Sequence, residues 1–235
     1  MKASPRGQCK RSLPAVGVSS AQHGPRLSIR PPSGRLASLT TPDDDVAAWA
    51  AARDLIDLGE LTAQWLEGHR SYHPGYVADG PDEEASELVE TLAGLNRAGF
   101  VTENSQPGIP LENGCAQRAC VSGYCSGETA ETLAFACLAT DLLCLVAWPG
   151  TSSLLHVPVT MDDGRAFTWE GMSSTPDILV NQWAGVCSSD GVLAILEAWQ
   201  VAVIDPVWGR NDLLWPTLRE ALARPPKSGA LPAFE

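Results

Sequence analysis

The stretch Asp162-Asp163-Gly164 lies between two apolar-rich runs, 157–161 and 165–169, and it constrains the fold more than any other feature of the chain. A tight hairpin turn needs positive φ at its centre, a conformation that Asp tolerates and Gly accepts freely. Two antiparallel strands must therefore lie side by side here. Helical and strand patterns are interspersed through the rest of the sequence. The expected fold class is α+β, a single domain with helices packed on a mixed or antiparallel sheet.

The helical signals come first along the chain. Asp43-Asp44-Asp45 supplies an N-cap and first-turn negative charge, and Val46, Trp49, Leu55, Ile56 and Leu58 then recur at near-helical spacing. This predicts one helix, or a broken pair, running to Trp65-Leu66 and stopping near Gly68. A second helix is expected from about Asp82, with Leu88, Leu92 and Leu95 on one face and Gly99 as a left-handed cap. Phe100 to Thr102 reads as a short strand closed by the polar run 103–108. Further on, Arg118 to Tyr124 predicts a strand and Glu128 to Thr140 a helix. The apolar run Leu142 to Trp148 predicts a fully buried strand. Ser174 or Thr175 before Pro176 marks a helix start that buries Ile178, Leu179 and Trp183. A strand over Ala198 to Ile204 and a helix over Asp212 to Ala223 complete the domain.

Charge narrows the partners. The net charge is −12, but residues 1–42 carry seven Lys/Arg and no acid, which leaves nine basic against 28 acidic groups in the remainder. A domain with that balance repels phosphate backbones, so nucleic acid is excluded as its partner. Residues 1–42, rich in Pro, Ser, Gly and Arg, are expected to form a disordered basic arm, 43–225 the folded domain and 226–235 a flexible tail. Seven cysteines without a Cys-x-x-Cys pair predict reduced thiols and a cytoplasmic location rather than a disulfide framework. The chain has no apolar stretch of membrane-spanning length, so no membrane association is expected. Arg outnumbers Lys by 13 to 3, a bias of high-GC bacterial genomes.

Most candidates for chemistry have plainer readings. His69 and His73 stand four apart but are flanked by Gly68 and Pro74 with no third ligand, which favours a solvated loop over a metal site. Cys115, Cys120 and Cys125 repeat every five residues, so successive side chains fall on opposite faces of a strand as small buried hydrophobes. His156, among apolar neighbours, reads as a hydrogen-bonded core histidine, and Asp162 and Asp163 as turn residues. Trp183 and Trp199 are expected to anchor the core. Phosphate-binding glycine loops and the Gly-x-Ser-x-Gly elbow are missing from the sequence. What stands out is Asn96 to Pro107, which places hydroxyls, amides and one guanidinium around a helix-to-strand turn. Such a cluster can hold a ribose or an amino-acid head group, or can simply satisfy turn backbone.

That segment carries a resemblance. Glu84-Ala85-Ser86, Asn96-Arg97-Ala98-Gly99, Thr102 and Asn104-Ser105-Gln106-Pro107 are similar to the S-adenosylmethionine-binding regulatory domain of eukaryotic-type methylenetetrahydrofolate reductase. The similarity resumes at Gln117-Arg118-Ala119 and Ser126 to Glu131, and weakly at Pro158, Asp162, Trp169, Gln182-Trp183, Asp205 and Leu214-Trp215. Leu95 to Gly108 also resembles an actinobacterial family of domains of unknown function, family 6919. The reductase resemblance implies a sensor domain that binds S-adenosylmethionine or S-adenosylhomocysteine, with Thr102 and Ser105 contacting the ligand and Glu84 facing its ammonium group. Ala85 stands where the reductase has a ligand-contacting Thr, and the folate- and flavin-binding barrel has no counterpart. The implied function is therefore a ligand-binding or sensor module for a nucleoside-like or amino-acid-like small molecule, with no catalytic residue and no metal. A protein-interaction module is the alternative, and an enzyme of unknown reaction the weakest reading, since no nucleophile–base pair is visible.

Overall fold

One long strand organises the molecule. In a computed structural model that describes residues 41–76, 80–81 and 83–223, apart from the side chains of 42, 83 and 84, strand β3 spans Cys115–Cys125 and touches four others. Its C-terminal half pairs with β1 (Phe100–Gln106) and β7 (Trp199–Trp208), and its first residues pair with β2 (Ile109–Glu112) and β5 (Leu154–Asp162). Strand β4 (Leu143–Ala147) flanks β7, and β6 (Arg165–Met172) flanks β5. All these pairings are antiparallel, giving a seven-stranded open sheet. The expected α+β class holds, and the sheet is antiparallel throughout rather than mixed. The expected arm over 1–42 and tail over 226–235 fall outside the described residues except for Thr41 and Pro42.

Two layers cover the sheet because β3 is apolar on both faces. On one face Val121 and Cys125, with Val201 and Val203 of β7, are covered by α2 (Leu55–Leu66), α3 (Val89–Arg97), α4 (Gly127–Leu138) and α7 (Leu214–Ala223). On the other, Tyr124 and Val101 pack with Trp49 of α1 (Pro42–Ala51), Trp183 of α5 (Pro176–Trp183) and Ile195 of α6 (Ser189–Leu196). Farther along that second face the β5–β6 hairpin lies across the sheet, where Val159 meets Cys120 and Ile204. Asp163 and Gly164 turn the hairpin at φ 48° and 73°, the geometry their sequence predicts.

Several expectations change. The first helix is capped by Thr41, whose side chain receives the Asp44 N–H at 3.3 Å while Asp44 reaches back, so the Asp run is not the cap. Asp45 is instead fully buried and receives Arg70, Ser71 and Tyr72. The apolar run at 142–148 is an edge strand, with Leu143, Val146 and Trp148 exposed, because β4 has only β7 beside it. Ile178 faces solvent while Leu179 and Trp183 are buried. Trp199 is half-buried rather than a core anchor. Strand β1 continues to Gln106, through residues expected to close it. The Asn113-Gly114 hairpin, at φ 52° and 83°, and helix α6 were not anticipated.

Candidate functional site

The segment singled out by the sequence builds its geometry around Asn96. This residue lies fully buried in the last turn of helix α3, and Gly99 at φ 88° then turns the chain into β1. The Asn96 side-chain amide donates to the Leu92 carbonyl at 2.9 Å and to the Thr102 hydroxyl at 2.8 Å, and its oxygen accepts the Thr102 N–H at 3.0 Å. Thr102 is thereby held to its own helix-to-strand turn.

Ser105 has a different environment. With Ala85, Trp65, Tyr76 and Leu92 it lines a cavity of about 40 Å³ on the helical face of the sheet. Trp65 and Tyr76 stack with ring centroids 4.6 Å apart, and the Tyr76 hydroxyl donates to the Glu103 carbonyl at 3.0 Å. The buried Trp65 indole N–H has no acceptor among the described residues. Ala85 belongs to a 3₁₀ turn over Glu83–Leu88. Glu84 precedes it in that turn, and its side chain lies outside the described residues. Of the positions that the resemblance singled out, Ala85 and Ser105 line the cavity and Thr102 does not.

A larger cleft opens on the opposite face, between the β5–β6 hairpin and the sheet, with a volume of about 240 Å³. A β-bulge creates its polar end. Thr102 pairs with Gly123 and Asn104 with the very next residue, Ser122, so Glu103 is the extra residue and alternation is broken. Glu103 receives the Tyr124 hydroxyl at 2.9 Å and the Gln182 amide at 2.7 Å. Asn104 donates to Glu170 of β6. Burial pushes the Glu170 carboxyl upward, hydrogen bonds from Asn104 and Ser122 oppose this, and the charge of Glu103 adds to the rise. Burial, followed by the Glu103 charge, likewise raises the Tyr124 phenol. The sequence left one trace of this site, the unbroken polar run Thr102 to Gln106 inside a strand, where alternation would be expected. Nothing local pointed to Glu170.

The remaining candidates resolve simply. His69 is exposed beside Glu67 at 3.4 Å, but His73 is buried among Trp49, Trp65 and Tyr76 rather than solvated, because the loop folds back onto α1 and α2. His156 is exposed, on an outward position of β5, and is not a core residue. Cys120 and Cys125 are buried on opposite faces, as expected, and Cys115 is half-buried. Burial holds the Cys125 thiol up at about 12. The six cysteines described are free. Among the described residues there is no group of three or more His, Cys, Asp or Glu able to hold a metal. No described helix is long and apolar enough to cross a membrane.

The protein is therefore an α+β domain whose open antiparallel sheet carries a small cavity on one face and a polar-ended cleft on the other. The chain belongs to the family described as domain of unknown function (DUF6919), whose profile matches residues 44–225. No curated protein matches it.

Proposed function

We propose that this domain is a cytoplasmic, regulatory small-ligand-binding module of actinobacterial type, with S-adenosylmethionine or S-adenosylhomocysteine as ligand at the Ser105 cavity. The observation that supports this reading is a cavity shared by Ser105, Ala85 and Trp65, a residue whose buried indole N–H has no acceptor among the described residues. A buried donor left unpaired is costly, and a ligand oxygen or nitrogen would remove that cost. The cavity has room for about one water-sized group. A nucleoside therefore enters only when the walls formed by Tyr76 and Ala85 part, and binding is coupled to movement of that wall. The lining residues used here are aromatic, aliphatic or hydroxyl-bearing, which suits recognition better than acid–base chemistry.

The test is a thermal titration with S-adenosylmethionine and S-adenosylhomocysteine. A ligand selective for the native state raises stability with the logarithm of its excess over Kd. The expected result is a saturable rise that Ser105→Ala weakens and Ala85→Thr, which restores the hydroxyl of the resembling domain, strengthens. No rise at millimolar ligand with folded protein overturns the reading.

A second reading, a protein-interaction module, draws on a separate observation. Leu154 is 84% exposed, Trp148 60%, and β4 is the terminal strand beside β7. An unpaired edge with apolar neighbours is a template for another strand, and a second copy of this chain is the occupant it favours. Light scattering after gel filtration tests it: a dimer that Val146→Lys, on β4, dissociates supports this reading, and a monomer rejects it.

A further inference from the structure

We infer that the cleft between the β5–β6 hairpin and the sheet is a binding site for a small organic cation, a primary ammonium or guanidinium group bearing an apolar substituent. The site is separate from the Ser105 cavity and rests on none of the arguments made for it.

The polar end supplies the cation's partner. Both Glu103 oxygens are engaged by neutral donors, Tyr124 and Gln182, so the carboxylate is oriented and its charge is not cancelled. Each carboxylate oxygen has a second lone pair to offer. Glu170, held by Asn104, is close enough to feel the Glu103 charge but does not itself line the cleft. The ion pairs found among the described residues use Asp45, Glu60, Glu67, Asp141 and Asp205, and none of them uses Glu103 or Glu170. Arg118 is occupied elsewhere, with its guanidinium over the Trp208 ring and a bond to the Pro158 carbonyl.

The cleft also has an apolar, open lip. Leu155 and Met172 both line the cleft and are 58% and 64% exposed. An exposed apolar lip and an oriented carboxylate in one cleft match a ligand that is charged at one end and apolar at the other, and disfavour an anion. The volume of about 240 Å³ limits the ligand to a small molecule.

The experiment is calorimetric titration of the full chain at constant ionic strength with 2-phenylethylammonium, and with 2-phenylethanol as its neutral counterpart. The expected result is saturable binding of the ammonium compound alone, weakened about tenfold or more by Glu103→Gln. Met172→Lys changes an exposed side chain, so folding is preserved, and the resident ammonium at the lip should also weaken binding. Ser105→Ala should leave this binding unchanged, which separates its outcome from that of the nucleoside titration. Equal binding of the alcohol and the ammonium compound, no binding of either, or undiminished binding by folded Glu103→Gln would each overturn the inference.

Discussion

Asn96 grips Thr102 with both ends of its amide: the nitrogen donates to the hydroxyl at 2.8 Å and the oxygen accepts the backbone N–H at 3.0 Å. Both residues are buried, so neither bond can be replaced by water at no cost. Asn96→Ala should lower unfolding free energy by roughly 2–4 kcal/mol, since it strands the Thr102 N–H, and Thr102→Val by roughly 1–2 kcal/mol. Thr102→Ser keeps the hydroxyl and should lose less than Thr102→Val. Urea melts of the three variants check the order. If Thr102→Val matched the parent, the clamp would contribute nothing. The same geometry makes Ser105, and not Thr102, the clean position for testing ligand binding.

Local chemistry made this turn readable, and it made the 162–164 hairpin readable too, because Gly99 and Gly164 signal positive φ wherever they stand. Asn113-Gly114 carries the same signal, but Pro110 in the preceding strand obscured it, as proline does in any strand pattern. Other features depend on distant residues. Asp45 is indistinguishable in sequence from Asp43 and Asp44, and its role comes from Arg70, Ser71 and Tyr72, in a loop beyond the next helix. An apolar run such as Leu143–Ala147 says that a strand forms but not whether it ends the sheet. The cleft is the extreme case: Asn104 of β1 and Glu170 of β6 meet only because β5–β6 folds across β3, which no local pattern encodes.

Asp45 makes the next prediction. It is fully buried, pairs with Arg70 at 2.9 Å and receives two backbone N–H groups and the Ser71 hydroxyl. Removing one member of a buried pair leaves the other charge uncompensated. Asp45→Ala should therefore cost about 3–5 kcal/mol, and hydrogen exchange should quicken first in α1 and at residues 70–72. Arg97 offers a contrast. It binds Glu60 at 2.9 Å and Glu67 at 2.6 Å, yet it is 40% exposed, so solvent screens both pairs. Arg97→Ala should cost no more than about 1 kcal/mol. A reversed order in denaturant melts would contradict the burial argument.

His73 should make the protein acid-sensitive in a defined window. Its imidazole lies among Trp49, Trp65 and Tyr76 and accepts the Gly75 N–H on Nδ1 at 3.1 Å; burial lowers its pKa from 6.5 to about 3. The unfolded chain takes up a proton below pH 6.5, whereas the folded chain does so only near pH 3. More protons on the unfolded state mean that stability falls as pH drops through this interval. Between pH 7 and about pH 4.5 the loss due to His73 is of the order of 2–3 kcal/mol. His73→Gln removes this contribution. The difference in stability between the two proteins should shift by that amount over the same range, while the carboxylates common to both cancel. A constant difference would mean that His73 titrates normally in the folded protein.

The last prediction follows from the scarcity of cations in the described domain. Residues 43–223 contain 27 Asp and Glu against seven Arg and no Lys. Arg70, Arg97 and Arg210 are committed to ion pairs, and Arg118 lies over Trp208. Carboxylates therefore far outnumber the cations that could neutralise them, and folding brings them closer than the unfolded chain does. Added sodium chloride shortens the screening length from roughly 30 Å at 0.01 M to roughly 3 Å at 1 M, relieving repulsion more than it weakens the few exposed pairs. The melting temperature should rise by a few degrees over that range, scaled to a domain of this size. Arg97→Ala should rise with it, since the pairs it loses are already screened. A melting temperature that falls with salt would show instead that the arginine pairs outweigh the acidic excess.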